Sequence, residues 1–516
     1  MQKTILFITF AFAIMASCQP NPALEMKKRE KVLRVNISRE PTTLDPRKVF
    51  DPSHQAVISM LYEGLTKLNP DLTTSLAQAE SYEVSADRLI YVFRLGNHRW
   101  SDGSEVCASD FEKTFLDLVD PKFPTPHTHL LYCIKNAQEC KRGNVSKECV
   151  GIRVLDVKTI EFTLERPCPF FLQILATPAL VPYSGDLFNG PFILDSWNRR
   201  VELKLRPNLQ YSSKKAHLDS IEITMIDNEI SALHMYASEY LDIIGTPFSQ
   251  IPLAHLKDLK DQNLLKIQPV AASLFCAFNT NSPLFQNANL RKSFATATNR
   301  REIIEHITLL DDEPGLGAVP SILKRGRSKT WIQDGDGEKA REYLSVALAE
   351  LNLSIEDLPP ITLYYWPFEL NYRISQTLQQ QWQNALGIHI QIEAIEFKSL
   401  LAKVAEGSYQ IGIFAWTADY GDPLSLLDRF RLSSDPKNYS RWESAKFTEL
   451  LDASSEITDP YQRLEILEEA EEVLMDEMAI APLFHWSFPL LVQSHISGFS
   501  MNPLGTVRFE ELSISN

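Results

Sequence analysis

The residues best placed to do chemistry lie in the octapeptide Trp416-Thr417-Ala418-Asp419-Tyr420-Gly421-Asp422-Pro423. It follows the apolar run Ile411-Gly412-Ile413-Phe414-Ala415, which reads as a buried strand bounded by turn signals. A strand edge offers backbone N–H and C=O groups to an extended guest. Trp416 adds a flat apolar wall, and Asp419 a negative charge able to hold an ammonium where water is scarce. Together these parts suit the amino terminus of a peptide. The competing structural reading is a strand-to-turn corner with a core tryptophan and a turn aspartate.

Other motifs favour structural roles. Trp100-Ser101-Asp102-Gly103 reads as a turn. Asp334-Gly335-Asp336-Gly337-Glu338 imitates part of a calcium loop, but it lacks the remaining ligands at their spacing and reads as a turn with a helix cap. Tyr364-Tyr365-Trp366 fits a cavity wall and a core equally well. The chain has no Gly-x-Ser-x-Gly elbow, no His-Glu-x-x-His and no Walker loop, which argues against a hydrolase or nucleotidase. Neither a metal nor an organic cofactor is expected.

Strand and helix segments alternate in the elements that must position these residues. Strands are expected at Val32–Ile37, Leu89–Leu95, Ile152–Leu164 (two), Val201–Leu205, Leu218–Met225, Leu274–Asn279, Pro360–Tyr365, Ile388–Ile395 and within Leu490–Phe509. Helices are expected at Ser53–Leu65, from Ala108, at Glu229–Tyr240, from Asn289 to near Leu309, at Glu338–Leu351, at Tyr372–Leu386 with Gly387 as its stop, and at Asp459–Met478. The pattern is α/β with mixed sheets.

Composition sets the bounds. The 516 residues are 44% hydrophobic and 23% charged, ordinary for a folded protein of two to four domains. The net charge of −15, from 51 basic and 66 acidic residues, disfavours nucleic acid, whose phosphates need basic clusters. Lys3 followed by the apolar run Ile5–Met15 fits a secretory signal too short to span a bilayer. Met15-Ala16-Ser17-Cys18 resembles a bacterial lipobox, which makes Cys18 the expected lipidation site and residues 19–30 a tether. Export makes disulfides the natural expectation for Cys107, Cys133, Cys140, Cys149 and Cys168, with Cys276 apart and the connectivity open.

Motifs along nearly the whole mature chain carry a resemblance: EPTTLDP at 40–46, LYEGL at 61–65, YVFRLGNHRWSDGSEVCASDF at 91–111, VGIRVLDVKTIEFTLERPCPFF at 150–171, NGPFILDSW at 189–197, FNTNSPLFQNANLRKSF at 278–294, QQQWQNALGIHIQIEAIEF at 379–397 and WTADYGDP at 416–423. In order and spacing the chain resembles the oligopeptide/dipeptide-binding family of solute-binding lipoproteins that serve ABC importers. The resemblance implies a periplasmic-binding-protein-like type II fold, with two main lobes closing about a hinge and an extra inserted domain. Domain I would comprise 31–65, 188–271 and 489–516, domain II 66–187 and domain III 272–488, after a signal peptide at 1–17 and a tether at 18–30. It further implies a monomer in the periplasm or at the cell surface, anchored through Cys18. Its partners would be short peptides and separate permease and ATPase subunits, with no catalytic role.

By the same resemblance Asp419 meets the peptide α-amino group, Trp416 lines a side-chain pocket, and backbone groups around Ala415 and Thr417 pair with the peptide main chain. The loop 40–46 would face the guest. Two departures stand out: Ile413 occupies a position where some relatives place a cation for the ligand carboxylate, and Asn371 one where some place His or Lys. Arg373 and His389 are weak substitutes and read better as solvated or structural. Alternatives that share the fold are a nickel chelate, haem, glutathione or cell-wall peptide as ligand, or a surface adhesin or receptor without transport.

Overall fold

The structure is a computed structural model and describes residues 31–213, 216–327 and 329–515. The expected signal and the expected lipidation site Cys18 lie outside the described residues. Among the described residues no helix is long and apolar enough to cross a membrane.

The chain opens with β1 (Val32–Ile37) and α1 (Pro52–Leu61). Asp51 caps α1 by accepting from Ser53 N–H, and Pro52 stands at the first helical position, where no N–H is missed. This helix stops before the expected Leu65, because Tyr62 turns extended. Gly190 packs against that corner; a Cβ there would lie 2.6 Å from the Leu61 carbonyl carbon.

Next come β2 (Ala79–Val84), β3 (Ile90–Leu95), α2 (Ala108–Leu118), β4 (Ile152–Asp156) and β5 (Thr159–Thr163). Their four strands form an antiparallel sheet in the order β2-β3-β5-β4. Phe93, Phe111, Phe115, Phe162 and Phe171 pack beneath it, each fully buried and continuous with the main core.

Apart from two small two-stranded pairs, Thr66–Leu68 with Thr74–Leu76 and Ile496–Ser497 with Ser513–Ile514, the remaining described strands make one large sheet. They are β6 (Phe192–Asn198), β7 (Glu202–Pro207), β8 (Ser220–Met225), β9 (Ile243–Gly245) and β10 (Lys266–Phe278), then β11 (Thr362–Tyr365), β12 (Gln391–Ala394), β13 (Ile411–Thr417) and β14 (Ile480–Val492). Their order is β12-β11-β13-β10-β14-β9-β1-β8-β7-β6, with Glu313–Pro314 pairing onto β14 at the side. The long antiparallel pair β10/β14 joins the two halves, and its register shifts between Pro269 and Ser273.

Sequence reading placed most elements but missed the extent of this pair. It expected a strand only from Leu274, and strands within Leu490–Phe509, whereas β10 starts at Lys266 and β14 at Ile480. Pro269, Pro482 and Pro489 break the pattern expected of an interior strand; a sheet with register shifts tolerates them. After Val492 only two short paired segments, Ile496–Ser497 and Ser513–Ile514, remain.

The disulfide expectation is corrected. All six described cysteines are free thiols, and Cys140, Cys168 and Cys276 are buried as small apolar groups. Burial pushes the Cys276 thiol up to about 12, which keeps it unreactive.

Candidate functional site

A cavity of about 1030 Å³ opens between the two halves of the large sheet, at the upper end of the range typical of small-molecule sites. It is walled by residues from α1, from the turn Thr128–Leu131, from the start of the helix Glu369–Leu386, and from β13. All four expected site residues, Ala415, Trp416, Thr417 and Asp419, line it.

β13 explains how one strand can serve as both floor and edge. It pairs along its length with β10, but β11 reaches it only at Ile411 and Gly412. From Ile413 onward that edge carries no paired strand among the described residues, as strand addition requires. Alternation sets the faces: Ala415 and Thr417 are exposed, while Trp416 is turned inward. Trp416 rims the cavity at only 5% exposure, with most of its indole packed against Phe275, Phe430 and Tyr439 at ring separations of 4.5, 4.9 and 5.6 Å. The Thr417 carbonyl already accepts from Arg429 Nη2 at 2.9 Å.

Asp419 sits just past the strand end, its side chain 32% exposed. Its backbone N–H donates to Ser425 Oγ at 2.7 Å, which fixes the turn. Its Oδ2 lies 3.1 Å from His129 Nε2 and accepts from Arg429 Nη2 at 3.2 Å. No hydrogen bond to Oδ1 is found among the described residues. Burial alone would raise the Asp419 pKa. The hydrogen bond to His129 and the charges of Arg429, His129 and Lys437 outweigh it and hold the carboxyl far below the ordinary carboxylate range. The group is therefore a carboxylate at any physiological pH, on the cavity wall, with Oδ2 committed and Oδ1 without a hydrogen bond among the described residues.

Sequence reading missed three cavity-lining side chains around Asp419: the imidazole of His129 and the cations Arg429 and Lys437. His129 comes from a segment 290 residues earlier, and no pattern in the chain links the two. Arg429 follows Asp419 by ten residues, and its guanidinium stands 5.2 Å over the Trp416 ring, tying motif and cation together.

The rest of the octapeptide does different work. Tyr420 stacks on Phe170 at 4.3 Å with the rings 3° from parallel. Asp422 receives a two-pronged ion pair from Arg463, with Nη2 to Oδ1 at 3.0 Å and Nη1 to Oδ2 closer still, and caps the next turn through Leu424 N–H at 2.9 Å.

Other sequence expectations find their places. The loop 40–46, expected to face the guest, contributes nothing to the cavity wall; Asp45 is instead locked on Arg47, which reaches on to Asp117 at 2.7 Å. Ile413 and Asn371 do line the cavity, whereas Arg373 does not, though it pairs at 2.5 Å with the lining residue Glu369, and His389 is exposed elsewhere. Trp366 is part of the wall, at 39% exposure, while Tyr365 is buried. Trp100 is a core residue whose Nε1 donates to Asp110 Oδ2 at 3.1 Å. Asp336 caps the helix Gly337–Leu351, and Asp334 pairs with the buried Arg300. Among the described residues no group of His, Cys, Asp or Glu could hold a metal ion.

A two-part α/β body with paired crossing strands and a ligand-sized cleft between its halves is the architecture of a type II periplasmic binding protein. The model of the bacterial extracellular solute-binding proteins, family 5 (middle region), matches residues 73–438, and the chain belongs to that family. It is 31% identical over 503 residues to the oligopeptide-binding protein OppA of Bacillus subtilis (strain 168), covering 93% of this chain and 92% of that one. It is 29% identical over 502 residues to the dipeptide-binding protein DppE of the same organism, covering 93% and 91%. Among solved structures it is similar to a periplasmic oligopeptide-binding protein, OppAIV, from Borrelia burgdorferi: TM-score 0.80, 27% identity, 94% of this chain and 100% of that one.

Proposed function

We propose that this protein is the extracytoplasmic binding component of an ABC importer and captures short peptides in the cleft beside β13. One observation carries the reading: a permanently ionised carboxylate, Asp419, keeps Oδ1 open at the end of an unpaired strand edge. An α-ammonium can bind that oxygen while the peptide main chain adds to the edge at Ile413–Ala415. Because Arg429 already holds the Thr417 carbonyl, the guest's main-chain bonds fall mostly before that residue. Affinity drawn from backbone groups shared by all peptides gives broad selectivity.

The family role supports separate permease and ATPase partners and a transport rather than catalytic task. We further infer a monomer held at the membrane through a lipid on Cys18. We divide the chain into 31–65, 188–271 and 489–516 as domain I, 66–187 as domain II and 272–488 as domain III. The register shift in the β10/β14 pair and the pairing of β2–β5 into a sheet of their own support that division.

Native mass spectrometry of the mature, unlipidated protein as purified, with release and sequencing of bound material, tests the reading. Co-purified short peptides, absent from Asp419→Ala, are expected. An empty site that also ignores a peptide library would overturn it and redirect the search to the non-peptide ligands of the same fold.

A further inference from the structure

The charges around Asp419 do not balance. Arg429 is 12% exposed and serves Asp419 Oδ2, Thr417 O and, through Nε, Ser425 O at 3.2 Å. Lys437 also lines the cavity, half-buried; among the described residues its ammonium forms no ion pair and its one hydrogen-bond contact is His129 Nε2 at 3.0 Å, while Asp435, which accepts from the Lys437 backbone N–H, adds only a more distant negative charge. Two cations and an imidazole thus surround one carboxylate in a partly dehydrated wall. An uncompensated charge in such a place is costly.

The imidazole cannot serve both neighbours at once. His129 Nδ1 lies 3.1 Å from the Pro126 carbonyl, an acceptor only, so Nδ1 carries a hydrogen. A neutral ring then leaves Nε2 bare, able to accept from Lys437 but turned lone pair first toward Asp419 Oδ2. A protonated ring donates to Asp419 and sets its charge against the Lys437 ammonium. In either state Asp419 keeps Arg429, whereas the Lys437 ammonium has no carboxylate at ion-pair distance among the described residues. A guest carrying both an ammonium and a carboxylate a few bonds apart removes the conflict: the ammonium takes Asp419 Oδ1 and the carboxylate takes Lys437.

We propose that His129 and Lys437, backed by Arg429, form an anion subsite beside Asp419 that selects peptides whose first residue is aspartate or glutamate. This rests on the peptide reading above and deepens it. Peptide N-termini with neutral side chains satisfy Asp419 alone, and basic ones place a third cation against Lys437. The inserted segment that supplies His129 therefore acts as a selectivity wall as well as a packing partner.

The test uses the mature protein, freed of endogenous ligand, and calorimetric titration with peptides of three to six residues identical except for a first Glu, Gln or Lys. The Glu peptide is expected to bind about tenfold tighter than the Gln peptide and the Lys peptide weakest. Lys437→Met is expected to bring the Glu-to-Gln ratio of Kd values to within about twofold, and Lys437→Arg to retain most of it. Reading the ratio cancels any general weakening from the substitution. Equal Kd values for Glu and Gln in the parent, or an unchanged ratio in Lys437→Met, would overturn the subsite and leave the peptide reading standing. Failure of every peptide to bind would overturn that reading itself, and the subsite with it.

Discussion

Asp419 and Asp422 stand three residues apart in one turn, each paired with an arginine, yet they have opposite tasks. Asp422 uses both oxygens on Arg463, one of them also on Leu424 N–H, and the pair is 14% and 7% exposed. Asp419 takes Arg429 and His129 on one oxygen, leaves the other without a hydrogen bond among the described residues and is 32% exposed. A saturated carboxylate holds the fold together; a half-saturated one can still bind a guest. The difference lies not in residue type or motif but in how many lone pairs the protein has already used.

The contrast breaks first at Asp422. Asp422→Ala strands the Arg463 guanidinium, whose remaining Nε bond to Ser454 O cannot neutralise it. A loss of about 3–5 kcal/mol of stability is expected, as for breaking any buried pair. Denaturant unfolding measures it. A loss under about 1 kcal/mol would mean that Asp422 is no structural tie.

Asp419→Ala should do the reverse. Arg429 keeps its bonds to the Thr417 and Ser425 carbonyls, so stability should fall by less than in Asp422→Ala, whose arginine keeps one carbonyl bond. Peptide affinity should fall by about 2–5 kcal/mol, the usual cost of removing one partner of a desolvated charge pair. Titration and thermal unfolding on the same sample separate the two effects; equal destabilisation by both alanine variants would erase the distinction drawn here.

Acid sharpens the same distinction at greater depth. His485 on β14 is 3% exposed, its Nδ1 lies 2.7 Å from Ser273 Oγ, and the Lys324–Glu471 ion pair lies nearby. Burial, helped by the Lys324 charge, holds His485 down at about 3. The unfolded chain binds a proton at this histidine below about pH 6.5, while the folded chain does not until about pH 3. The contribution of His485 to stability therefore falls as pH drops through that window, by up to about 1.4 kcal/mol per unit, against the opposite contribution of the buried Asp312, raised by burial to about 6. His98 and His127, also lowered chiefly by burial, act in the same direction as His485. Asp419 is depressed from the ordinary aspartate value, so its contribution is lost only below about pH 4. Unfolding measured from pH 7 to 4.5 should show a slope that His485→Asn reduces and Asp419→Ala leaves unchanged. No reduction in His485→Asn would place the proton uptake elsewhere.

Much of this was legible from local patterns. The β13 run, the Gly387 stop, the helix that opens at Ala108 and the position of Asp419 all follow from periodicity and end chemistry. What was illegible depended on distance in the chain. His129 reaches Asp419 only because the inserted sheet folds back onto the cleft, and no local signal encodes that. The prolines hid β14 because a strand's tolerance for proline depends on register shifts that its partner strand helps to make. Tyr420 and Asp422 share the octapeptide with Asp419 but got no separate role, because sequence shows neighbours in the chain, not which side of a turn each one faces.

Tyr420 offers the smallest and most discriminating test of that last point. Its ring lies on Phe170, from the segment that carries the inserted sheet, and both are nearly buried, at 8% and 9% exposure. Arg463 stands 5.5 Å from the Phe170 ring centre, so the stack and the Asp422 ion pair form one continuous tie. A double-mutant cycle with Phe170→Leu and Tyr420→Leu should give a coupling of about 0.5–1.5 kcal/mol in unfolding free energy, the value of an aromatic pair beyond its buried area. The same cycle read in peptide affinity should be additive to within about 0.5 kcal/mol, because neither ring touches the open oxygen of Asp419. Coupling in affinity but not in stability would place Tyr420 on the ligand side of the turn and join the two halves of the octapeptide into a single site.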